Sequence, residues 1–263
     1  MNALMRPNPV RAGLQAGGSA YGTMAFEFFT PGLMAVLAEA RAEFVLLDTE
    51  HSGVGIETIK MQIAASRGLG IVPMVRVPGC HYHLIAPVLD AGAMGIMVPM
   101  VETAAQAGHI ASWCRYRPDG VRGVAFGMPH DDYRGGDVVQ KLREANERTL
   151  VIALIETAVG IANAEAIMAV DGTDIGWLGH FDLTNSMGIP GQFDHPDFLA
   201  AVDRLVAACR VHGKPAGVLA GSVEAAEAWR ARGFRVFAYG TDISLLQESL
   251  RGGLARLRAG EGH

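Results

Sequence analysis

Three chemically useful side chains follow an apolar run in the stretch FVLLDTEHSGVG, residues 44–55: Asp48, Glu50 and His51. A histidine titrates near neutral pH and can act as a general base, and a nearby carboxylate can fix its tautomer and orientation. Asp48, three residues before His51, is the candidate for that orienting role. The alternative is that Asp48 only caps the loop and His51 is an ordinary, partly exposed histidine. Glu50 is expected to support the loop.

A pair of acids ends two other segments. Glu156 ends LVIALIE and Asp182 ends GHFD. Two carboxylates that meet can bind a divalent cation and leave coordination positions for water and substrate, and oxygen ligands favour Mg²⁺ or Mn²⁺ over a structural zinc ion. Each acid also has a simpler interpretation, since Glu156 could be a helix N-terminal acid and Asp182 a helix cap.

Two more charged residues end otherwise apolar segments. Arg76 ends IVPMVR, where a guanidinium can hold a carboxylate or stabilise an oxyanion. Its alternative is a structural ion pair with a neighbouring acid. Asp90, in APVLDAGAMG, ends a helix-like segment, and its position alone favours a local cap.

These residues need a scaffold that brings them together. Eight short apolar runs alternate with amphipathic segments, which indicates parallel strands joined by helical crossovers. Eight such units in about 250 residues are typical of a (β/α)₈ TIM barrel, in which functional side chains gather at the carboxyl ends of the strands. The predicted strands are residues 21–28, 44–48, 71–76, 94–99, 150–156, 174–179, 215–220 and 235–240.

We therefore predict an α/β fold consisting of one barrel domain over residues 1–263. A doubly wound open sheet is the alternative, but no predicted strand is followed by the G-x-G-x-x-G turn of a dinucleotide site. The long interval before the fifth strand contains residues 116–136, which predict a loop followed by a short helix. This loop is either functional or a solvated surface insertion.

Composition limits the partners. The chain has 263 residues, half of them apolar, and a formal net charge of −5, with no basic cluster for nucleic acid. No apolar run is long enough for a membrane span or a secretory signal, so we expect a cytoplasmic protein that acts on small molecules. The scattered cysteines Cys80, Cys114 and Cys209 predict reduced, unpaired thiols.

A family resemblance rests on five motifs taken together: LLDTEH, PMVRV, VLDAGAMGIMVPMVET, IET and GHFDLTNSMG. They resemble those of the metal-dependent (class II) pyruvate aldolases of the 4-hydroxy-2-oxoheptanedioate and 2-dehydro-3-deoxyglucarate aldolase family, within the citrate lyase-like superfamily. The likeness runs from about residue 20 to about residue 250.

The resemblance implies a fold, an assembly and an activity. The fold is a (β/α)₈ barrel, commonly in a homohexamer built as a trimer of dimers with an exchanged C-terminal helix. The activity is the reversible cleavage of 4-hydroxy-2-oxo acids into pyruvate, or a related 2-oxo acid, and an aldehyde. A divalent metal ion, Mg²⁺, Mn²⁺ or Co²⁺, stabilises the enolate.

The resemblance also implies residue roles at the core of the site. Glu156 and Asp182 resemble the metal ligands, His51 resembles the base that acts through a metal-bound water, and Asp48 resembles its partner. Arg76 resembles the residue that stabilises the enolate and holds the pyruvyl oxygen.

Further roles implied by the resemblance concern substrate binding. The backbone N–H groups at Phe181 and Asp182 would face the pyruvate carboxylate, which suits a helix N-terminus. Asp90 resembles an acid that reaches a neighbouring subunit's site. Arg122, in GVRGV, matches a recurrent Arg-Gly of the family's long loop and is expected to contact substrate.

The chemistry agrees with this assignment. Cleavage of the C3–C4 bond leaves a carbanion next to the ketone, so a cation and an arginine that stabilise the enolate lower the barrier. The Schiff-base alternative needs a lysine at a strand end, but Lys60 and Lys141 lie in helix-like segments and Lys214 precedes its strand. The sequence therefore favours the metal route.

Two departures from the family pattern concern the substrate pocket. Leu154 stands where the family usually has glutamine, and GHFD replaces the usual Gly-Pro-Ala-Asp, which puts His180 and Phe181 at the pocket's edge. We hypothesise that these changes alter the substrate range or the reaction outcome and spare the metal pair. Two other functions stay open at this point: an acyl-CoA lyase of the same superfamily, and a catalytically quiet barrel that binds 2-oxo acids.

Overall fold

The computed structural model describes residues 3–260, which form a closed barrel of eight parallel strands. Each strand pairs with the next along the chain, and the last pairs with the first. The predicted barrel is confirmed, and the open sheet is excluded by this closure. The strands are β1 (Ala20–Ala25), β2 (Phe44–Asp48), β3 (Val72–Arg76), β4 (Gly95–Val98), β5 (Leu150–Ile155), β6 (Ile175–Leu178), β7 (Ala216–Ala220) and β8 (Phe234–Thr241).

Helices surround the barrel, and none within residues 3–260 combines the length and apolar character needed to cross a membrane. They are α1 (Pro9–Gln15), α2 (Leu33–Glu39), α3 (Ile56–Ala65), α4 (Tyr82–Asp90), α5 (Ala104–Trp113), α6 (Val138–Arg148), α7 (Ala158–Ala162), α8 (Ala164–Met168), α9 (His180–Ser186), α10 (Pro196–Val211), α11 (Val223–Arg232) and α12 (Asp242–Gly260).

Helix α1 closes the N-terminal end of the barrel, a feature that the sequence pattern did not predict. Asn8 caps the helix by accepting from the N–H of Arg11, and its Nδ2 donates to the carbonyls of Met94 and Arg148. Val10 and Leu14 are buried in the same apolar cluster as the barrel interior. The barrel is therefore plugged at this end, and its open mouth lies at the other.

Two apolar cores result from the two faces of the strands. Side chains alternate along a strand, so one set fills the barrel interior and the other packs beneath the helices. Leu46, Met74 and Leu154 belong to the interior set. The residues two positions further on, Asp48, Arg76 and Glu156, therefore share the inward face at the strand ends.

Segment 116–136 is packed against the barrel rather than solvated along its whole length. Arg148 Nη2 donates to the carbonyl of His130 at 2.6 Å, and Lys141 Nζ donates to Asp131 Oδ2 at 2.7 Å. His130 and Asp131 belong to a buried 3₁₀ turn, Pro129–Asp131. The predicted loop with a helix beyond it is confirmed, since α6 follows.

Gly217 tests the packing of the interior. An added Cβ at Gly217 would lie 2.3 Å from Cε3 of Trp177. Overpacking of this kind costs about 1–3 kcal/mol, so Gly217→Ala is expected to lower the free energy of unfolding by that amount. Gly221→Ala is the control, because a Cβ there meets no atom within 4 Å. Urea unfolding with equal midpoints for Gly217→Ala and wild type would contradict this packing.

Candidate active site

Asp48 organises the loop that follows β2. Its carboxylate is fully buried and accepts the backbone N–H of His51 at 2.7 Å and that of Glu50 at 3.2 Å. It also accepts Arg76 Nε at 2.5 Å, across paired positions of β2 and β3. Asp48 thus joins the ends of two adjacent strands and sets the backbone that carries Glu50 and His51.

The His51 ring has a different acidic neighbour from the one predicted. Its Nε2 lies 3.7 Å from Glu50 Oε2, and 58% of its side chain is exposed. Asp48 meets His51 through the backbone N–H, because its oxygens are occupied by backbone donors and by Arg76. Asp48 was predicted to orient the His51 ring, but in the structure Glu50 is the acid beside that ring.

Arg76 is both an ion-pair partner and a source of free donors. It is 8% exposed, and its Nη1 lies 3.2 Å from Glu50 Oε2 in addition to the bond from Nε to Asp48. Its Nη2 is buried and has no hydrogen-bond partner among residues 3–260. A buried donor without a partner is costly, so this N–H group is suited to a substrate oxygen.

Glu156 lies between β5 and α7, one residue before the Thr157 cap, and is 4% exposed. Its Oε1 accepts the N–H of Met100 at 2.8 Å, and the missing side chain of Gly179 leaves space for it, since a Cβ there would lie 2.4 Å from Oε2. Burial, with smaller contributions from the charges of Asp182 and Glu50, raises the pKa of Glu156 to about 7 despite the Met100 N–H.

Asp182 lies in the first turn of α9, whose cap residue is Gly179, so its predicted alternative as a helix cap is wrong. Phe181 precedes it at the same N-terminus, where backbone N–H groups lack intrahelical acceptors. His180, the first residue of α9, is partly buried, and this burial lowers its pKa.

These side chains surround one cavity of about 240 Å³ at the mouth. The predicted residues that line it are His51, Arg76, Leu154, Glu156, His180, Phe181 and Asp182. Asp48 does not line the cavity but contacts this set through its ion pair with Arg76. The structure therefore brings together nearly all of the predicted site.

Besides Asp48, the predicted site residues Asp90 and Arg122 do not line this cavity. Asp90 is the last residue of α4, and its Oδ1 accepts Arg122 Nη2 at 2.6 Å. The Arg122 guanidinium also lies 4.6 Å from the Tyr116 ring. Within one chain this pair is structural, which corrects the expectation of a substrate contact by Arg122; a role for Asp90 in a neighbouring subunit's site stays a prediction.

Sequence reasoning missed the apolar lining and the loop after β1. Met24, Phe26, Met97, Trp177 and Leu219 also line the cavity. Continuing the inward-facing alternation to the end of each strand indicates them. The backbone N–H groups of residues 26–28 donate to the carboxylate of Asp242 at 2.7–3.0 Å, a long-range contact with no local sequence signal.

The acids at the mouth fit a hard divalent cation. Across residues 3–260 no cluster of three or more histidine, cysteine, aspartate or glutamate side chains is arranged as a ready metal centre. Glu156 and Asp182 instead form a carboxylate pair, and the raised pKa of Glu156 reflects its burial first and the charge of Asp182 second, so a bound cation would favour its ionised form. Two carboxylates with open positions suit an ion such as Mg²⁺, which keeps several waters.

Comparisons with known proteins agree with this geometry. Residues 26–249 match the HpcH/HpaI aldolase/citrate lyase family. The chain is similar to a hydroxypyruvate/pyruvate aldolase from Delftia acidovorans, at 36% identity over 96% of this chain and 93% of that protein. It is 34% identical to a 2-keto-3-deoxy-L-rhamnonate aldolase from Klebsiella pneumoniae, over 98% and 96% of the two chains.

A solved structure supports the same relationship. The HpcH/HpaI aldolase/citrate lyase family protein from Burkholderia cenocepacia superposes with a TM-score of 0.89 at 31% identity, over 95% of this chain and 99% of that one. The chain belongs to the HpcH/HpaI aldolase/citrate lyase family. The predicted family and enzyme class, a carbon–carbon lyase of the aldolase type, are thereby confirmed.

Glu156→Gln tests the electrostatics of the mouth. Folding raises the pKa of Glu156 from an ordinary 4.5 to about 7, so the folded state holds this proton more tightly and loses stability as the pH rises between those values. Glutamine stays neutral and keeps an acceptor for Met100. In EDTA the variant should match wild type near pH 4.5 and exceed its unfolding free energy above pH 7 by on the order of 3 kcal/mol.

Thermal unfolding from pH 4.5 to 8 measures this difference. Adding Mn²⁺ at pH 8 should stabilise wild type and leave the variant unchanged, because the cation binds the ionised carboxylate. A difference between the two proteins that is constant with pH would show that Glu156 ionises normally.

Proposed function

We propose that this protein is a metal-dependent class II aldolase that reversibly cleaves 4-hydroxy-2-oxo acids into pyruvate, or a related 2-oxo acid, and an aldehyde. The observation that carries the proposal is the unpaired Nη2 of Arg76, in the same cavity as the Glu156 and Asp182 carboxylates. The names of the relatives, aldolases of hydroxypyruvate/pyruvate and of a keto-deoxy sugar acid, support pyruvate as the shared product.

Glu156 and Asp182 are the proposed ligands of a divalent cation, Mg²⁺, Mn²⁺ or Co²⁺. When bound, the cation supplies Lewis-acid stabilisation of negative charge on the 2-oxo acid. Burial of Glu156 keeps its carboxylate in a region of low dielectric, where such charge stabilisation is stronger than in water.

Arg76 is proposed to donate Nη2–H to the oxygen on which enolate charge develops. Its Nε and Nη1 are committed to Asp48 and Glu50, so the guanidinium plane is fixed before substrate arrives. Fixed donors of this kind require no reorganisation when charge develops, which makes them effective in catalysis.

His51 is proposed to take the proton of the 4-hydroxyl group during cleavage and to return it during addition. The ring is exposed and lines the cavity, which supports a role in contacting the aldehyde half of the substrate. Glu50, 3.7 Å from Nε2, would stabilise the protonated ring. In this proposal Asp48 fixes the guanidinium of Arg76, and Glu50 stabilises the protonated ring of His51.

An acyl-CoA lyase is the second candidate, and no observation favours it. Two citrate lyase structures that this chain resembles, from M. tuberculosis and Burkholderia xenovorans, are 21% and 18% identical, with TM-scores of 0.56 and 0.60, and show the fold alone. Arg76 is the one arginine or lysine among the described residues that line the cavity, and its charge is already paired.

Helix α12 supports the proposal of a homo-oligomer. None of its described residues is buried, and Leu246, Leu250, Leu254 and Leu257 recur at helical spacing with 37–69% exposure. We propose that this stripe packs on a neighbouring subunit by helix exchange, within a hexamer built as a trimer of dimers. The proposed compartment is the cytoplasm, since the three free cysteines suit a reducing environment.

Proton exchange of pyruvate tests the proposed function without knowledge of the aldehyde. With Mn²⁺ or Mg²⁺ in D₂O, the protein should exchange the methyl protons of pyruvate, and EDTA should abolish the exchange. Nuclear magnetic resonance follows the loss of the methyl signal. Absence of exchange with every cation, together with no pyruvate released from any 4-hydroxy-2-oxo acid, would exclude the aldolase.

His51→Ala tests the proposed base. The variant is expected to cleave a 4-hydroxy-2-oxo acid about 10²-fold more slowly, as expected for loss of a positioned general base. His83→Ala is the control, because His83 is exposed and does not line the cavity. Coupled detection of pyruvate gives the rates, and near-normal turnover by His51→Ala would remove this residue from the mechanism.

Leu250→Glu tests the proposed assembly, because a charge in the middle of the α12 stripe should prevent its burial against another subunit. Light scattering is expected to give a smaller mass for this variant than for wild type. Val211→Glu, an equally drastic change at a 67% exposed site on α10, should keep the wild-type mass. Equal masses for Leu250→Glu and wild type would contradict the exchanged helix.

A further inference from the structure

One part of the lining of the active-site cavity is apolar. It consists of Met97, Leu154, Trp177 and Leu219. Three of them, Met97, Leu154 and Trp177, are held in place by the packed barrel interior to which they belong. These side chains offer no strong hydrogen-bond partner to the hydroxyl groups of a sugar-like aldehyde, apart from the Trp177 N–H. A polyhydroxylated chain would therefore lose hydrogen bonds to water when it entered.

Three aromatic rings, those of His180, Phe181 and Phe193, pack together at one side of the mouth, and we call this group the aromatic wall. The ring centroids lie 4.7 Å apart for His180 and Phe181, 5.3 Å for His180 and Phe193, and 5.1 Å for Phe181 and Phe193. Phe193 also contacts Phe198, which is fully buried, at 5.9 Å. The aromatic wall is therefore anchored in the core beneath α10.

Phe181 is the member of this wall that is free to contact a ligand. It lines the cavity, yet 64% of it is exposed. An exposed aromatic ring held by two other rings provides a fixed stacking surface, and aromatic pairs contribute to binding beyond their buried area.

The cavity lining has few cationic groups for an aldehyde substituent. Among the described residues that line the cavity, Arg76 is the one arginine or lysine, and its charge is shared between Asp48 and Glu50. Its unpaired Nη2 is assigned to the 2-oxo acid in the proposed function. The lining therefore supplies no second guanidinium or ammonium group for a carboxylate on the aldehyde.

From these observations we infer that the aldehyde used by this enzyme is uncharged and carries an aryl group, which stacks on Phe181 and contacts the apolar part of the lining. The inference rests on the proposed aldolase function and adds the substrate class of its acceptor. Phe181 is the residue that determines this specificity, and Leu154 provides apolar surface in the same cavity.

Competition between aldehydes tests this substrate class. The wild-type protein with Mn²⁺ and pyruvate is offered benzaldehyde, succinic semialdehyde and glyceraldehyde, and kcat/KM is measured for each. The readout is the ratio of kcat/KM for benzaldehyde to that for succinic semialdehyde, compared between wild type and Phe181→Ala. Comparing proteins cancels the intrinsic reactivity of each aldehyde.

The expected result is a fall of about tenfold in this ratio for Phe181→Ala, mainly through a higher KM for benzaldehyde, with Phe181→Leu in between. Tyr133→Ala is the matched control, since Tyr133 is 60% exposed but lies outside the cavity. It should keep the wild-type ratio.

Exchange of the pyruvate methyl protons needs no aldehyde, so it distinguishes a failure of the aryl acceptor from a failure of the aldolase function. Intact exchange with a ratio that changes less than about twofold in Phe181→Ala overturns the aryl acceptor and leaves the aldolase standing. A larger loss of kcat/KM for succinic semialdehyde than for benzaldehyde in Phe181→Ala overturns it as well. Absence of exchange in the wild-type protein, together with no pyruvate released from any 4-hydroxy-2-oxo acid, overturns the aldolase and the acceptor together.

Discussion

The buried ion pair between Asp48 and Arg76 is the interaction on which the rest of the mouth depends. It joins the carboxyl ends of β2 and β3 in register, and Asp48 also holds the backbone N–H groups of Glu50 and His51. Two charges taken out of water are favourable only with good geometry and satisfied partners. Here the pair leaves Nη2 of Arg76 buried and without a hydrogen-bond partner among residues 3–260, so this nitrogen is available for a substrate oxygen in the proposed function.

The electrostatics around this ion pair are set by the carboxylates of Glu50, Glu156 and Asp182 at the open end of the barrel. Burial, with smaller contributions from the charges of Asp182 and Glu50, raises the pKa of Glu156 to about 7. A divalent cation would favour the ionised form of this carboxylate, and the closed lower end under α1 leaves one open end for substrate. Arg76 is the one arginine or lysine among the described residues that line the cavity, so the aldehyde half finds no second guanidinium or ammonium group there.

The sequence predicted the barrel well because its evidence is local. Each strand is a short, doubly buried apolar run, and Asp48, Arg76 and Glu156 stand at strand ends that parallel topology must bring together. The pairing of these side chains was harder to predict, because it depends on contacts made by other parts of the chain, such as Arg76 of β3 with the Asp48 carboxylate. The ring of His51 lies beside Glu50 rather than Asp48, and Arg122 pairs with Asp90 away from the cavity. Neither pairing has a spacing signal in the chain.

Binding of oxalate, a planar mimic of the pyruvate enolate, measures the central claim that the free N–H of Arg76 and the carboxylate pair form one enolate site. Calorimetry should show oxalate binding to wild type with Mn²⁺ and none in EDTA. Arg76→Lys keeps the positive charge but loses the planar guanidinium with its several N–H donors. Its affinity for oxalate should therefore fall about tenfold or more, as expected for loss of a charged hydrogen bond. Equal oxalate affinity in folded Arg76→Lys, or binding to wild type without the cation, would contradict the account.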